Sequence, residues 1–188
     1  AAEHGVLVRS GEALQSASKL TTLVVDKTGT LTQGKPSVTD VQLFDVEQAT
    51  ALEWVHALER GSEHPLAAAL MNYADEHNAP PAEINGFDSV TGGGVKAQTA
   101  DGKALLLGNA RLLSEAGVDL NAAEAQARAL EEQARTLVYL AVDGKLAALF
   151  GISDPLRHDT MAAIKRLQKD GLTIVMLTGD NELTAKAI

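Results

Sequence analysis

The spacing of apolar and polar positions predicts the elements of this chain in turn. Leu20–Asp26 (LTTLVVD) is a short β-branched run ending in a polar, glycine-bearing turn, which predicts a buried strand. Gly34, Lys35 and Pro36 break the pattern, and Ser37–Phe44 predicts a second strand. From Val46 to Arg60 the apolar residues Ala49, Leu52, Val55 and Leu58 recur at three-residue steps, as on one face of a helix that Gly61 ends. A second helix is expected from Ser62, whose hydroxyl can cap free N–H groups, to Glu76. Pro65 is tolerated in its first turn, and Asn78-Ala79-Pro80-Pro81 stops it.

Two Asp-Gly pairs follow. Asp101-Gly102 joins Val95–Ala100 to Lys103–Leu107, and Asp143-Gly144 joins Thr136–Val142 to Lys145–Ile152. Both suit the positive-φ positions of tight turns, so each predicts an antiparallel hairpin. Between them Ala122–Ala134, rich in Ala, Glu, Gln and Arg, is helical by propensity. Beyond residue 150 the character changes. Asp159–Lys169 has a helical pattern (Met161, Ile164, Leu167), Leu172–Leu177 is a nearly continuous apolar strand, and Thr178-Gly179-Asp180 leads to a helix start at Glu182. Strand, polar turn and helix in that order belong to a parallel α/β sheet, as does the strand ending at Asp26. The pattern therefore implies an α/β domain made of residues 1–33 and 151–188, interrupted by an α+β domain over residues 34–150. Crossings are expected near Gly34–Pro36 and Gly151–Pro155.

Composition narrows the function classes. An apolar fraction of 45% with 22% charged residues is that of a globular chain, and the net charge of −9 argues against binding nucleic acid or an anionic membrane surface. No cysteine is present, which excludes disulfides, thiolate metal sites and a cysteine nucleophile. The longest apolar runs, Leu66–Met71 and Leu137–Val142, fall far short of the roughly 20 residues that cross a bilayer. No signal peptide is visible, so the expectation is a soluble, cytosolic piece, with room for it to be cut from something larger.

Asp26-Lys27-Thr28-Gly29-Thr30-Leu31-Thr32 carries the sharpest chemistry. A carboxylate at the C-terminal end of a parallel strand lies where α/β sheets place their ligands. Gly29 between threonines lets the backbone turn and present N–H groups to an anion. Asp26 is thereby a candidate nucleophile toward a phosphoryl group, forming an acyl-phosphate.

DKTGTLT resembles the phosphorylation signature of P-type ATPases, and Ser62-Glu63-His64-Pro65-Leu66-Ala67 resembles the SEHPLA motif of their heavy-metal-transporting (type IB) branch. The resemblance runs over essentially the whole chain. It implies a partial haloacid-dehalogenase-like phosphorylation domain interrupted by an inserted, antiparallel-sheet nucleotide-binding domain with flanking helices. It implies further that Asp26 takes the γ-phosphate of ATP. Related phosphatases carry a second aspartate two residues after the nucleophile; Thr28 stands there instead, so the acyl-phosphate is expected to persist, and a transport ATPase is favoured over a phosphatase.

The same resemblance assigns the remaining candidates. His64 would orient the adenine and phosphates, and Glu59 would accept from the adenine amino group. Gly92 and Gly94 match the family's G-x-G, while Gly108-Asn109 falls where it lines the adenine pocket. Asp154-Pro155-Leu156-Arg157 resembles its D-P-x-R hinge near the nucleotide, and Thr178 the hydroxyl that holds the transferred phosphoryl oxygens. There is no G-x-x-x-x-G-K-[ST], so this is no P-loop ATPase.

The family's later lysine and G-D-G-x-N-D segment are not in the chain, which leaves Asp26 and the Thr28 carbonyl as candidate Mg²⁺ ligands in an incomplete site. The isolated chain is therefore expected to bind ATP with little or no turnover, and its outer segments to leave a sheet edge uncovered. The implied parent is an exporter at the inner or plasma membrane. Its membrane domain lies in the same polypeptide and its cargo is Cu⁺ or Ag⁺, with Zn²⁺, Cd²⁺ or Pb²⁺ as alternatives. The histidines at 4, 56, 64, 77 and 158 show no ligand spacing, so no cargo site is expected here. Two rivals remain: a non-catalytic adenine-nucleotide-binding module and a haloacid-dehalogenase-type phosphatase.

Overall fold

The computed structural model describes residues 10–62, 65–178 and 184–185. In chain order these form α1 (Gly11–Ala17), β1 (Thr22–Asp26), β2 (Ser37–Leu43), α2 (Gln48–Glu59), α3 (Pro65–Glu76), β3 (Ile84–Val90), β4 (Gly94–Thr99) and β5 (Ala104–Gly108). They continue with α4 (Ala110–Glu115), α5 (Glu124–Glu131), β6 (Thr136–Val142), β7 (Lys145–Ser153), α6 (Thr160–Lys169) and β8 (Thr173–Leu177). Two compact units result: one from residues up to Thr32 with Leu156–Thr178, the other from Gln33–Pro155 with Thr184 and Ala185.

In the first unit β1 and β8 pair in parallel, Asp26 standing opposite Leu177. The strand expected to be buried over Leu20–Asp26 is not. Val24, Val175 and Leu177 expose 60%, 44% and 64% of their surface, because among the described residues this sheet has two strands, with α6 packed against β8. Met161 of α6, expected on the apolar face, is exposed as well.

The second unit holds a six-stranded antiparallel sheet, ordered β2-β7-β6-β5-β4-β3 among the described residues. Alternate side chains of each strand leave opposite faces. Val138 and Leu140 of β6 join Phe150 and Ile152 of β7 in a cluster with α2 and α3, whereas Tyr139, Ala141 and Leu149 pack with Leu113 of α4 and with Ala127 and Leu130 of α5. Covered on both sides, β6 reads as the continuous apolar run Leu137–Val142 rather than as an alternation. In α2 the buried stripe is Ala51, Leu52, Val55 and Leu58. The expected Ala49 is exposed, since steps of three drift from a helix of 3.6 residues per turn.

The two hairpins differ. Asp143 (φ 49°) and Gly144 (φ 75°) both occupy the left-handed region, as a two-residue turn requires. At β4–β5 the Thr99 N–H donates to the Lys103 carbonyl (3.0 Å) and the Gly102 N–H to the Thr99 carbonyl (2.9 Å); this longer loop demands a positive φ of Gly102 (87°) and not of Asp101.

β3 and α4 were not anticipated, for Asn85, Gly86 and Asp88 disguise the strand and six residues are too few to show a helical period. β7 continues past residue 150 to Ser153. Where the chain passes between the units, the Gln33 N–H donates to the Pro155 carbonyl at 2.9 Å. The helix start at Glu182 lies outside the described residues, and no described helix is long and apolar enough to cross a membrane.

Candidate functional site

Asp26 ends β1 in an extended conformation (φ −72°, ψ 145°) and is exposed. The chain then turns through Thr28 (φ −76°, ψ 124°) and Gly29 (φ 75°, ψ −9°), the angles of a type II turn, whose third position resists any residue with a side chain. Thr32, only 1% exposed, locks that turn. Its hydroxyl accepts the Gly29 N–H (3.0 Å) and donates to the Lys27 carbonyl (3.2 Å), to which its own N–H also donates (3.1 Å). The Leu31 carbonyl accepts the buried Thr160 hydroxyl at 2.7 Å and the Arg157 N–H at 3.0 Å, fastening the turn to the start of α6. Because Asp26 is paired with Leu177, Thr178 follows one residue beyond, at the same end of the sheet.

The Asp26 carboxylate and Thr28 carbonyl are hard oxygen donors of the kind Mg²⁺ prefers. Among the described residues no group of three or more His, Asp or Glu side chains could hold a metal.

The other candidates belong to the second unit. Glu59 closes α2 and is 8% exposed. Burial pushes its carboxyl above the ordinary 4.5, while a hydrogen bond from the Ser62 hydroxyl pulls the other way. The Ser62 N–H donates to the Glu59 carbonyl at 2.9 Å, so the residues after α2 fold back on its last turn. His64 lies outside the described residues.

The glycines divide by physical cause. A β-carbon on Gly94 would lie 2.0 Å from the Leu107 carbonyl oxygen, and one on Gly108 would lie 2.3 Å from that of Gly93. These two are required by the approach of β4 and β5 to one another. Gly92 (φ 68°) has open space where a side chain would be. Asn109 binds the group together: its Oδ1 accepts the Leu112 N–H (3.0 Å), capping α4, its Nδ2 donates to the Gly92 carbonyl (2.9 Å), and its backbone N–H donates to the Gly93 carbonyl (2.9 Å). Asp154 accepts the Lys35 backbone N–H at 3.0 Å, holding the two crossing segments together.

Sequence reasoning assigned no role to Thr32 or Thr160, although both lock the Asp26 turn. Thr32 stood in the quoted motif, but nothing in its spacing announces a buried hydroxyl. A separate cavity of about 370 Å³, lined by Leu120, Asn121, Glu124, Ala127, Arg128, Glu131 and Tyr139, contains none of the candidate residues. Burial and the charge of Glu131 push the Tyr139 phenol there up to about 12.

The family described as haloacid dehalogenase-like hydrolase matches residues 20–188. The copper-transporting P-type ATPase of Rhizobium leguminosarum bv. viciae is 45% identical over 188 residues, covering 100% of this chain and 22% of that protein. The silver exporting P-type ATPase of Salmonella typhimurium is 39% identical over 188 residues, covering 100% and 23%. Among solved structures, a zinc-transporting PIB-type ATPase in its E2.Pi state matches with a TM-score of 0.66 and 31% identity, over 100% of this chain and 30% of that one. The chain thus spans 22% and 23% of the length of these two curated relatives.

Proposed function

The chain belongs to the haloacid dehalogenase-like hydrolase family, and on that premise we propose that it is the ATP-binding, phosphate-accepting portion of a P-type ATPase that exports a heavy-metal cation. The observation that carries this reading is Asp26 itself. It is exposed at a strand end, followed by a turn that Gly29 permits and Thr32 locks, with Thr178 one residue past its register partner.

An Asp26 carboxylate oxygen attacks the terminal phosphorus of ATP, the bond from that phosphorus to the bridging oxygen breaks, and ADP leaves with the electron pair. Thr28 and Thr178 present oxygens toward the transferred group. A bound Mg²⁺, held by Asp26 and the Thr28 carbonyl, would neutralise charge on the phosphates. Thr28 cannot serve as the general base that a second carboxylate would be, so the aspartyl-phosphate outlasts the chemical step and remains available to drive transport.

In the inserted unit Glu59 accepts from the adenine amino group, His64 orients the nucleotide, and Gly92 leaves room beside it. Gly94, Gly108 and Asn109 keep the loop at Gly92 in shape, and Asp154 holds the crossing segments together through the Lys35 N–H. The partner is the membrane domain of the same polypeptide, with this portion on the cytoplasmic side of the inner or plasma membrane. Cu⁺ or Ag⁺ is the cargo that the copper- and silver-transporting relatives support best.

The test uses the full-length protein with Mg²⁺, labelled ATP, and Cu⁺, Ag⁺ or Zn²⁺ in parallel. The expected result is an acid-stable, hydroxylamine-labile phosphoprotein that depends on Cu⁺ or Ag⁺ and is abolished by Asp26→Asn. Nucleotide binding without label would support the non-catalytic module, and phosphate release from small esters the phosphatase.

A further inference from the structure

The cavity of about 370 Å³ lies on the face of the six-stranded sheet that α4 and α5 cover, whereas Glu59 belongs to α2 on the opposite face. Its size falls within the roughly 300–1,000 Å³ of ligand pockets. One wall is the side of α5 that carries Glu124, Ala127, Arg128 and Glu131, whose spacing stacks them along one stripe of the helix. Ala127 reaches only one carbon from that helix, which leaves the space a longer side chain would fill. Leu120 adds a second apolar surface.

Tyr139 of β6 is the most buried lining residue, 4% exposed. A buried tyrosine hydroxyl ordinarily finds a hydrogen-bond partner, yet among the described residues that of Tyr139 makes no such bond. Nor is it sealed in the interior, since no wholly buried side-chain oxygen among the described residues lacks a partner. The hydroxyl therefore opens onto the cavity. Burial and the charge of Glu131 keep it protonated at neutral pH.

The remaining lining groups define the ligand's charge. Arg128 is the one cation among them, and its Nε donates to Glu132 at 3.2 Å, a residue outside the lining. Glu124 and Glu131 supply two negative charges, which repel an anion, and an apolar ligand would leave the phenol unsatisfied. An ammonium group suits both carboxylate and hydroxyl, because each accepts what it donates. A carboxylate offers about four lone-pair sites, so Glu131 can take an ammonium beside its contacts within the chain. Glu124 and Glu131 stand about 10 Å apart along the helix axis, with Ala127 between them.

We propose that this cavity binds an aliphatic diamine, one ammonium donating to Glu131 and the Tyr139 hydroxyl, the other to Glu124, with the methylene chain along Ala127 and Leu120. The site is separate from the nucleotide site, and the inference does not rest on the proposed function.

The experiment titrates the 188-residue chain with pentamethylenediamine, ethylenediamine and pentylamine at constant ionic strength, by calorimetry and by backbone amide NMR. Pentamethylenediamine is expected to bind saturably, with the largest shifts at the amides of Leu120, Ala127 and Tyr139. Pentylamine, which lacks the second charge, and ethylenediamine, which cannot span the two carboxylates, should each bind on the order of tenfold more weakly. Glu124→Gln should bring pentamethylenediamine down to the level of pentylamine. Tyr139→Phe should weaken it about tenfold and, having no partner to lose, leave the melting temperature of the free chain undiminished. Ala127→Leu should fill the cavity and abolish binding. Amide spectra unchanged away from the cavity establish that each variant is folded. The absence of saturable shifts at those amides, or equal affinity in Tyr139→Phe and Ala127→Leu, overturns the proposal. Pentylamine binding as tightly as the diamine overturns it too, and would assign the cavity to a single ammonium such as a lysine side chain.

Discussion

The amide nitrogen of Asn109 donates to the carbonyl of Gly92 at 2.9 Å, while its oxygen caps α4 on the Leu112 N–H at 3.0 Å. One side chain therefore sets both the start of a helix and the path of the glycine loop. Asn109→Ala is expected to cost about 1–2 kcal/mol in urea unfolding. Asn109→Asp keeps the cap but loses the donor to Gly92. It should recover most of the stability and still bind ATP less tightly than the wild type; full recovery of affinity would show that the latch on Gly92 is idle.

Gly94 and Gly92 separate packing from binding. With a β-carbon at position 94 directed 2.0 Å from the Leu107 oxygen, Gly94→Ala must push β4 and β5 apart, at about 3 kcal/mol. Gly92→Ala meets no neighbour and pays only for its φ of 68°, about 1 kcal/mol. Thermal unfolding ranks the two. A loss of nucleotide affinity in Gly92→Ala well beyond its loss of stability would mark the ligand's approach to that position.

Thr32 is the hydroxyl on which the Asp26 turn depends. Thr32→Val keeps the shape but strips the Gly29 N–H of its acceptor, and should cost about 2 kcal/mol. In the full-length protein the yield of phosphoprotein should fall although Asp26 is intact. A normal yield in a destabilised Thr32→Val protein would mean that the turn's geometry does not matter to the transfer.

Glu59 opposes folding as pH rises. Its carboxyl titrates above the ordinary 4.5 in the folded state, so between those two points the folded chain holds more protons than the unfolded one. Stability associated with this residue is complete below 4.5 and is lost as pH climbs through the raised value. Glu59→Gln should therefore unfold at higher temperature than the wild type at pH 7, and the two should converge toward pH 4. Calorimetric melts across that range decide it; a wild type that gains on the variant as pH rises would contradict the burial of the carboxyl.

How far the chain's organisation could be read in advance depended on whether local physics or distant contacts governed each part. The hairpin at Asp143-Gly144 was legible because only small, turn-favouring residues accept two successive positive φ values. The face of α2 was legible to within one residue, Ala49, because the helical period is nearly the spacing of its apolar positions. β3 was not, since an edge strand with a bulge carries Gly86 and Asp88 where a regular strand would carry β-branched residues.

By itself the sequence determined the order of the strands, turns and helices other than α1, β3 and α4, the interruption of a parallel α/β pattern by an antiparallel one, and the nucleophile candidate at a strand end. These follow from periodicity and turn chemistry, which act between residues a few positions apart. Only the tertiary structure decided that Gly94 and Gly108 serve the strand pairing and Gly92 does not. It also decided that Thr32 holds the Asp26 turn and that the hydroxyl of Tyr139 opens onto the cavity along α5. Those distinctions depend on which atoms of remote segments come within van der Waals or hydrogen-bonding reach, and no spacing along the chain encodes that.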